Sequence, residues 1–175
     1  MKPIEKLICC RFGGVEDSSK DKRTVQVFCL EKGKVWMNLI IKEIRTEKEL
    51  KDVLEMCYRI LGYDNSELYG YDAWLKRLSD GLQPLVYAQD SGKVVSAVLG
   101  RSESAESLVI GFVACDEAYR RQGITKRLMS YFEELARKIG YKYITLGSEE
   151  DVFYEKCGYK PIFQIHGQNI YQKIL

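Results

Sequence analysis

The stretch Leu108–Leu128 reads LVIGFVACDEAYRRQGITKRL. Its first part, Leu108 to Val113, is an apolar run of strand length. Its last part opens a helical pattern that puts Ile124, Leu128, Tyr131, Phe132, Leu135 and Ile139 on one face. Between the two lies a turn with Gly123, ringed by Arg120, Arg121, Lys126 and Arg127. A strand that feeds such a turn and then a helix N-terminus is a device for holding phosphate. The first N–H groups of the helix have no partner inside it, they point outward, and the macrodipole favours negative charge there. Taken alone, the segment also fits a helix-start glycine among solvated basic residues. It is neither a P-loop nor a dinucleotide fingerprint, because it contains neither G-x-x-x-x-G-K-[ST] nor G-x-G-x-x-G.

Further along, Phe153 to Tyr159 reads FYEKCGY, a short helix stopped by Gly158 at the left-handed position and followed by a strand. The pair of segments is more specific than either. Arg120, Gly123 and Thr125 occupy the marked places of R-x-x-G-x-[GA], the pyrophosphate turn of the GNAT acetyltransferase superfamily, with Thr125 standing where family members commonly carry a smaller residue. The second segment resembles the family's F-Y-E-K-x-G-[FY] helix, and Gly147 and Ser148 fill the stretch where the family commonly places an asparagine. As a pattern of elements the resemblance covers residues 38–175.

The resemblance implies an α/β (α+β) fold with a mixed, mostly antiparallel central sheet flanked by helices, in the order β-α-α-β-β-β-α-β-α-β-β. It implies transfer of an acetyl group from acetyl-CoA, or another acyl group from a related donor, to a small-molecule or peptide amine by direct attack. The turn from Arg120 through Arg121, Gln122, Gly123, Ile124 and Thr125 to Lys126 would take the pyrophosphate. The backbone of Val113, Ala114 and Cys115 would pair with the pantetheine amides, which explains a cysteine there without making it a nucleophile. Tyr154 stands where the family places the acid that protonates the departing thiolate. Tyrosine suits that task, being protonated at neutral pH and able to hydrogen-bond sulfur. The residues also allow Tyr154 to be a core aromatic. For a base, Glu106, Asp116, Glu117, Glu149, Glu150 and Asp151 flank the relevant elements, and each reads equally as a solvated surface charge.

Composition sets the frame. The 175 residues are 46% hydrophobic and 30% charged, and they predict one soluble globular domain with a real core. Lys and Arg number 27 against 25 Asp and Glu, too balanced to imply nucleic-acid or membrane binding from bulk charge. Neither a signal-peptide core nor a membrane-spanning run is present, so a cytoplasmic protein is expected. His166 is the single histidine and the six cysteines form no C-x-x-C pair, so no metal is expected and the cysteines read as reduced, mostly buried thiols. A site built from Cys9, Cys10 and Cys29 stays open as the alternative.

Residues 1–37 are expected to form an added β-hairpin, with strands at Leu7 to Phe12 and Thr24 to Leu30 joined by the polar turn Gly13 to Arg23. Such a unit cannot stand alone in water, so it packs on the main domain or on the second subunit of a homodimer. The main domain, residues 38–175, begins with a strand from Asn38 to Ile44. A capping box at Thr46 and Glu49 then starts a helix with Leu50, Val53, Leu54, Cys57, Ile60 and Leu61 on one face, stopped by Gly62. A second helix carries Trp74, Leu75 and Leu78 to Gly81, and Asp90-Ser91-Gly92 turns a hairpin between Leu85 to Gln89 and Lys93 to Gly100.

The connection between those helices sets acceptor choice in the resembled family. Here Tyr63, Asp64, Glu67, Tyr69, Tyr71, Asp72 and Trp74 mix carboxylates with aromatic faces. That mixture suits a cationic amine, with Asp64, Tyr71 and Asp72 as the substrate contacts, and it also occurs on ordinary loops. Two other functions remain in view. One is a non-catalytic module of the same fold that senses acyl-CoA or joins a partner through residues 1–37. The other is a basic RNA-binding surface around Arg120 to Arg127, which lacks the interleaved aromatics such surfaces use.

Overall fold

Apolar runs of period two become strands and runs of period 3.6 become helices over the residues the computed structural model describes, 25–31, 34–62 and 66–175. In chain order they are β1 (Val25–Glu31), β2 (Lys34–Glu43), α1 (Glu47–Leu61), α2 (Tyr71–Asp80), β3 (Leu85–Asp90) and β4 (Lys93–Ser102). Then come β5 (Ser107–Cys115), a 3-10 turn (Glu117–Tyr119), α3 (Ile124–Ile139), β6 (Tyr143–Ser148), α4 (Asp151–Lys156), β7 (Lys160–Ile165) and β8 (Gln168–Ile174). The strands form one sheet in the order β1-β2-β3-β4-β5-β6-β8-β7, in which β5 and β6 run parallel and the other neighbours antiparallel.

Local signals set the boundaries. Thr46 and Glu49 form the expected capping box, each side chain accepting from the other residue's N–H, and α1 ends at Gly62 with φ 70°. Ser91 and Gly92 both have positive φ, the two-residue turn whose twist matches the hairpin of β3 and β4. The sheet buries both faces. Leu128, Phe132 and Ala136 of α3 pack on Val86, Val98, Leu108 and Ile110, and Leu50, Val53, Leu54 and Cys57 of α1 with Trp74 of α2 pack on Leu85, Tyr87, Leu99 and Phe112. The expected apolar stripes run past the sheet at their ends, leaving Leu61 37% and Ile139 43% exposed.

One irregularity matters to the site. Leu99 pairs with Phe112 and Gly100 with Ile110, so Gly111 has no partner and forms a β-bulge. An unbroken strand would send residues 110 and 112 to one face. The bulge sends Ile110 to the α3 core and Phe112 to the α1–α2 core. A Cβ on Gly111 would come within 3.0 Å of the Trp74 ring and 3.2 Å of the Tyr69 ring, so the aromatic cover packs directly on the bare glycine.

The N-terminal part is described from Val25 onward. The strand expected over Thr24 to Leu30 is β1, and its described partner is β2, with Val25 opposite Ile41. Leu7 to Phe12 and the turn Gly13 to Arg23 lie outside the described residues. Strand β2 starts at Lys34 rather than Asn38, so the boundary drawn between residues 37 and 38 falls inside a strand that pairs with β1 on one side and β3 on the other.

Gly100 gives a direct test of the packing. A Cβ there would lie 2.8 Å from Phe132 Cζ and 3.2 Å from the Pro84 carbonyl oxygen, against a fully buried ring. Gly100→Ala is expected to cost about 1–3 kcal/mol of stability through overpacking. Urea unfolding with an unchanged midpoint would contradict this.

Candidate active site

Strands β5 and β6 pair at only three positions, Ser107 with Tyr143, Leu108 with Ile144 and Val109 with Thr145. Beyond Val109 they part. From Ile110 to Cys115, β5 pairs with β4 alone, while Leu146 to Ser148 of β6 pair with β8 alone. The bulge at Gly111 sits at the point of separation, and bulges bend and twist the strand that carries them. The Asp116 N–H donates to the Val95 carbonyl at 2.8 Å, which sets the alternation of the ladder. Ala114 therefore faces β4, and the amides of Val113 and Cys115 turn toward the gap. That edge offers main-chain donors and acceptors to an extended, amide-bearing ligand.

The edge leads straight into the turn. Asp116 Oδ1 accepts from the Ala118 N–H and caps the 3-10 turn, Arg121 has φ 60°, and Gly123 at the N-cap of α3 has φ 76°. The first bond within α3 runs from the Arg127 N–H to the Gly123 carbonyl, so the N–H groups of Ile124, Thr125 and Lys126 have no acceptor behind them in the helix. Gly123 has no side-chain cap, and nothing lies within 4 Å of the place where its Cβ would be. Glycine holds the left-handed conformation without strain and leaves that space open. Arg120 Nε donates to the Cys115 carbonyl at 3.3 Å and Gln122 Nε2 to the Ala118 carbonyl at 2.8 Å, folding the turn on itself, while Arg121 and Lys126 are exposed. Ile124 is buried and anchors the helix start in the core, so its side chain takes no part in the surface of the turn.

Thr125 has a use that the sequence did not disclose. Its hydroxyl lies 3.1 Å from Ser96 Oγ, and Ser96, fully buried, donates to the Ala114 carbonyl at 2.9 Å. The bridge ties the first turn of α3 to β4 and to the free-edged part of β5. The threonine side chain faces inward and keeps out of the space before Gly123. Ser96 itself was missed. Its one signal is a hydroxyl inside the apolar run Val94 to Leu99.

Across the gap, Tyr154 sits on α4. The helix ends in a Schellman arrangement: the Gly158 N–H bonds the Glu155 carbonyl at 2.9 Å and the Tyr159 N–H bonds the Tyr154 carbonyl at 3.0 Å, with φ 85° at Gly158. The Tyr154 ring packs on Phe153, Tyr159 and Tyr171 at centroid distances of 5.0, 6.1 and 5.8 Å. Burial pushes its phenol up to about 12, partly offset by a hydrogen bond from Ser148 at the end of β6. The group stays protonated throughout the neutral range.

Three of the six acidic candidates are engaged. Asp116 bonds Lys93 at 2.9 Å and Arg59 at 3.4 Å. Asp151 accepts from Tyr171 and from Asn169 and fixes the first turn of α4 to β8, and Glu106 pairs with Lys142. Glu117, Glu149 and Glu150 are exposed.

On the α1–α2 side, Tyr63 and Asp64 lie outside the described residues. Trp74 is fully buried, and its ring packs on Phe112 at 5.1 Å and carries the Arg77 guanidinium at 4.5 Å, so it belongs to the core and not to a substrate cage. Tyr69 stacks on Phe112 at 5.3 Å over the bulge. The Tyr71 hydroxyl donates to Glu47 at 2.7 Å, and Lys51 Nζ lies 5.4 Å from its ring centre. Asp72 is exposed in the first turn of α2. Helix α1 thus joins two regions about 18 Å apart, Tyr71 beside Glu47 at its start and Asp116 beside Arg59 at its end. The structure brings Val113 to Cys115, Arg120 to Lys126 and Tyr154 to the two lips of one gap. Tyr71 and Asp72 stand apart from the turn.

Comparison with known proteins agrees with this geometry. The Acetyltransferase (GNAT) family profile matches residues 47–159. Among solved structures, Ard1 from Thermoplasma volcanium is 25% identical, with a TM-score of 0.60 over 78% of this chain and 97% of that one. The PaiA N-acetyltransferase from Thermoplasma acidophilum, solved with coenzyme A, is 16% identical, with a TM-score of 0.66 over 79% and 100%. An aminoglycoside 6′-N-acetyltransferase, also solved with coenzyme A, is 15% identical, with a TM-score of 0.63 over 77% and 96%. No curated protein matches the chain significantly by sequence.

The carboxylate at the root of the turn has a pH signature. The hydrogen bond from Lys93, more than the Ala118 N–H or Arg59, holds Asp116 below the usual carboxylate range. Its stabilisation is complete above the unfolded-chain value of about 3.9 and is lost as pH falls through the lower folded-state value. Asp116→Asn is therefore expected to lower Tm at pH 7 and to differ less and less from the wild type below about pH 4. A gap in Tm that is the same at pH 7 and pH 3 would contradict this.

Proposed function

The chain belongs to the GNAT acetyltransferase family, and we propose that it moves an acetyl group from acetyl-CoA to an amine by direct attack in a ternary complex. One observation carries the reading: a sheet that opens after Val109 and delivers its free edge to a bare helix N-terminus behind an open, left-handed Gly123. The fit to coenzyme A rests on these residues. The unpaired N–H groups of Ile124 to Lys126, with Arg121 and Lys126 beside them, suit a pyrophosphate, and the amides of Val113 and Cys115 suit the pantetheine arm. Arg120, Gln122 and Thr125 shape the turn through their own bonds, and the Ala114 carbonyl of β5 anchors it through Ser96 of β4.

In this proposal Tyr154 is the acid. The acceptor nitrogen, as the free amine, bonds to the thioester carbonyl carbon, the carbon–sulfur bond breaks, and the phenol first hydrogen-bonds and then protonates the leaving sulfur; the acylated nitrogen releases its extra proton to solvent, and solvent returns one to the phenolate. A proton raised toward 12 by burial is held firmly, so the phenol arrives charged with its proton at any neutral pH. The acceptor must shed its own proton before attack, because a lysine-like amine has a pKa near 10.4. We place the acceptor, a small-molecule or peptide amine, beside the α1–α2 connection, with Asp64, Tyr71 and Asp72 as its contacts. Lys51 Nζ, 5.4 Å from the Tyr71 ring centre, supports the reading that this ring face suits an ammonium group. A single acyltransferase domain working in the cytoplasm, with the residues ahead of β1 as an extension, completes the proposal; among the described residues no helix is long and apolar enough to cross a membrane.

The test is free CoA release from acetyl-CoA across a panel of amines, for the wild type and Tyr154→Phe. Phenylalanine keeps the ring and its packing and removes the donor. Turnover is expected to fall about 10²–10⁴-fold, with acetyl-CoA affinity nearly unchanged because the proposed ground-state contacts are mostly backbone. Full turnover in the variant would make Tyr154 a core residue only. A wild type that binds acetyl-CoA and releases no CoA with any amine would support the acyl-CoA-sensing module instead.

A further inference from the structure

On the face of the sheet that carries α1 and α2, those helices pack on β3, β4 and β5, and no described residue of β6 or β8 joins that core. Two arginines meet at the border. Arg101 of β4 lies opposite Val109, the last residue of β5 that pairs with β6. Its neighbour Gly100 turns toward Phe132 of α3, and Leu99 belongs to the α1–α2 core. Arg101 therefore projects on the α1–α2 face, at the point where the sheet opens. Arg77 reaches the same place from α2. Its guanidinium covers the Trp74 ring at 4.5 Å, and that ring packs over Gly111. Burial, and after it the charge of Arg101, push Arg77 down from its ordinary value, so the two cations lie within reach of each other.

Such neighbours repel, and little opposes the repulsion here. Arg101 Nη1 bonds Glu103 at 2.7 Å, a side chain 55% exposed. Arg77 Nη1 donates to the Leu68 carbonyl at 2.9 Å, and no carboxylate pairs with it among the described residues. Arg101 Nε is closed off from solvent and has no acceptor, and Trp74 Nε1 is in the same condition. Buried donors are nearly always paired, and a charged one left over marks a place that an anion completes. With Nη1 taken by Glu103, Nε and Nη2 form the other edge of the fork, the kind of edge that takes a carboxylate in a bidentate pair. The Arg101 side chain is still 23% exposed, so its head stays within reach of a ligand on this face. The ground beside it is polar and uncharged. Thr145 of β6 lies opposite Val109 and Gln172 of β8 opposite Thr145. Both are half-buried and on this face, because Ile144 and Leu146 turn to the α3 core.

The acyl donor proposed above runs toward this spot. With its pyrophosphate at the start of α3 and its pantetheine arm along Cys115 to Val113, its thioester end points to Gly111. Val109 is two residues further, about 7 Å along the strand, a span that a small amine and an arginine side chain bridge together.

We propose that the acceptor is an amine that also bears a carboxylate, in its simplest form an amino acid, and that Arg101, with Arg77 beside it, binds that carboxylate. The inference rests on the acyl transfer proposed above and names the class of its acceptor. The ammonium form of the amino acid and acetyl-CoA give the N-acetyl amino acid, the CoA thiol and one proton. The carboxylate proposed for the ammonium, Asp72, and the guanidiniums match the two charges of such a zwitterion.

The test follows CoA release at saturating acetyl-CoA with the common amino acids, each beside its carboxamide and its decarboxylated amine, for the wild type, Arg101→Met and Arg101→Lys. The best amino acid is expected to exceed both counterparts in kcat/KM by at least about tenfold. Arg101→Met is expected to cut kcat/KM for that amino acid, through KM, at least about tenfold more than for its decarboxylated amine, and Arg101→Lys to recover part of the loss. A wild type that uses the amines or carboxamides as well as the amino acids would overturn the inference and leave the acyl transfer standing. So would an equal loss for amine and amino acid in Arg101→Met. Faster turnover with succinyl-CoA than with acetyl-CoA, abolished by Arg101→Met, would move the carboxylate to the donor and overturn it as well. If no compound releases CoA, isothermal titration of the same amino acids decides: binding that needs Arg101 keeps the carboxylate site and removes the transfer, and no binding overturns both.

Discussion

The architecture of the site depends on β5 leaving β6 while it stays in the sheet. After Val109 the strand is held by β4 alone, and the device that turns it is the unpaired Gly111. The bulge is locked from above. Trp74 and Tyr69 approach so closely that a side chain at that position would have to push the rings aside, and Phe112, re-aimed by the bulge, completes a cluster of three rings with them. Helix α2 and the connection before it therefore do more than cover a core. They clamp the strand at the point where the sheet opens, and they join the aromatic cluster on one face to the gap between the strands.

The turn after β5 inherits its position from this bend. Two sets of bonds then fix it. Buried Ser96 links the Ala114 carbonyl to the Thr125 hydroxyl, coupling strand to helix start. Asp116 joins the end of β5 to Lys93 in β4 and to Arg59 at the end of α1. The outcome is a helix N-terminus whose backbone donors are aimed before any ligand arrives, so little ordering is left for binding to drive. Tyr154 is fixed with the same economy of motion, held between three rings on a helix that Asp151 pins to β8.

Much of this was legible in the sequence because it rests on local chemistry. The capping box at Thr46, the Asp90-Ser91-Gly92 turn, the Gly123 helix start and the Gly158 stop each reflect a preference of a few adjacent residues, and each lies where the pattern put it. What escaped depends on contacts between distant segments. Nothing around Gly111 distinguishes a bulge from a flat strand until Trp74 is seen above it. Ser96 looks like any strand serine until Thr125 is 3.1 Å away. The start of β2 was placed late for the same reason: how far a strand extends depends on which strand lies alongside, and Lys34 to Asn38 carry no marker that separates them from the strand they begin. Trp74 illustrates the opposite error, an aromatic that composition offered to a substrate and that packing gives to the core.

The account stands or falls on acyl-CoA held at the start of α3. Gly123→Val is the sharpest probe, because it introduces a Cβ into open space and a β-branched residue at φ 76°, while it touches nothing in the core. Isothermal titration with acetyl-CoA is predicted to show binding to the wild-type protein and at least about a tenfold weaker affinity for the variant, or about 1.4 kcal/mol, with the circular dichroism of the two indistinguishable. Equal affinities, or no binding by the wild type, would contradict it.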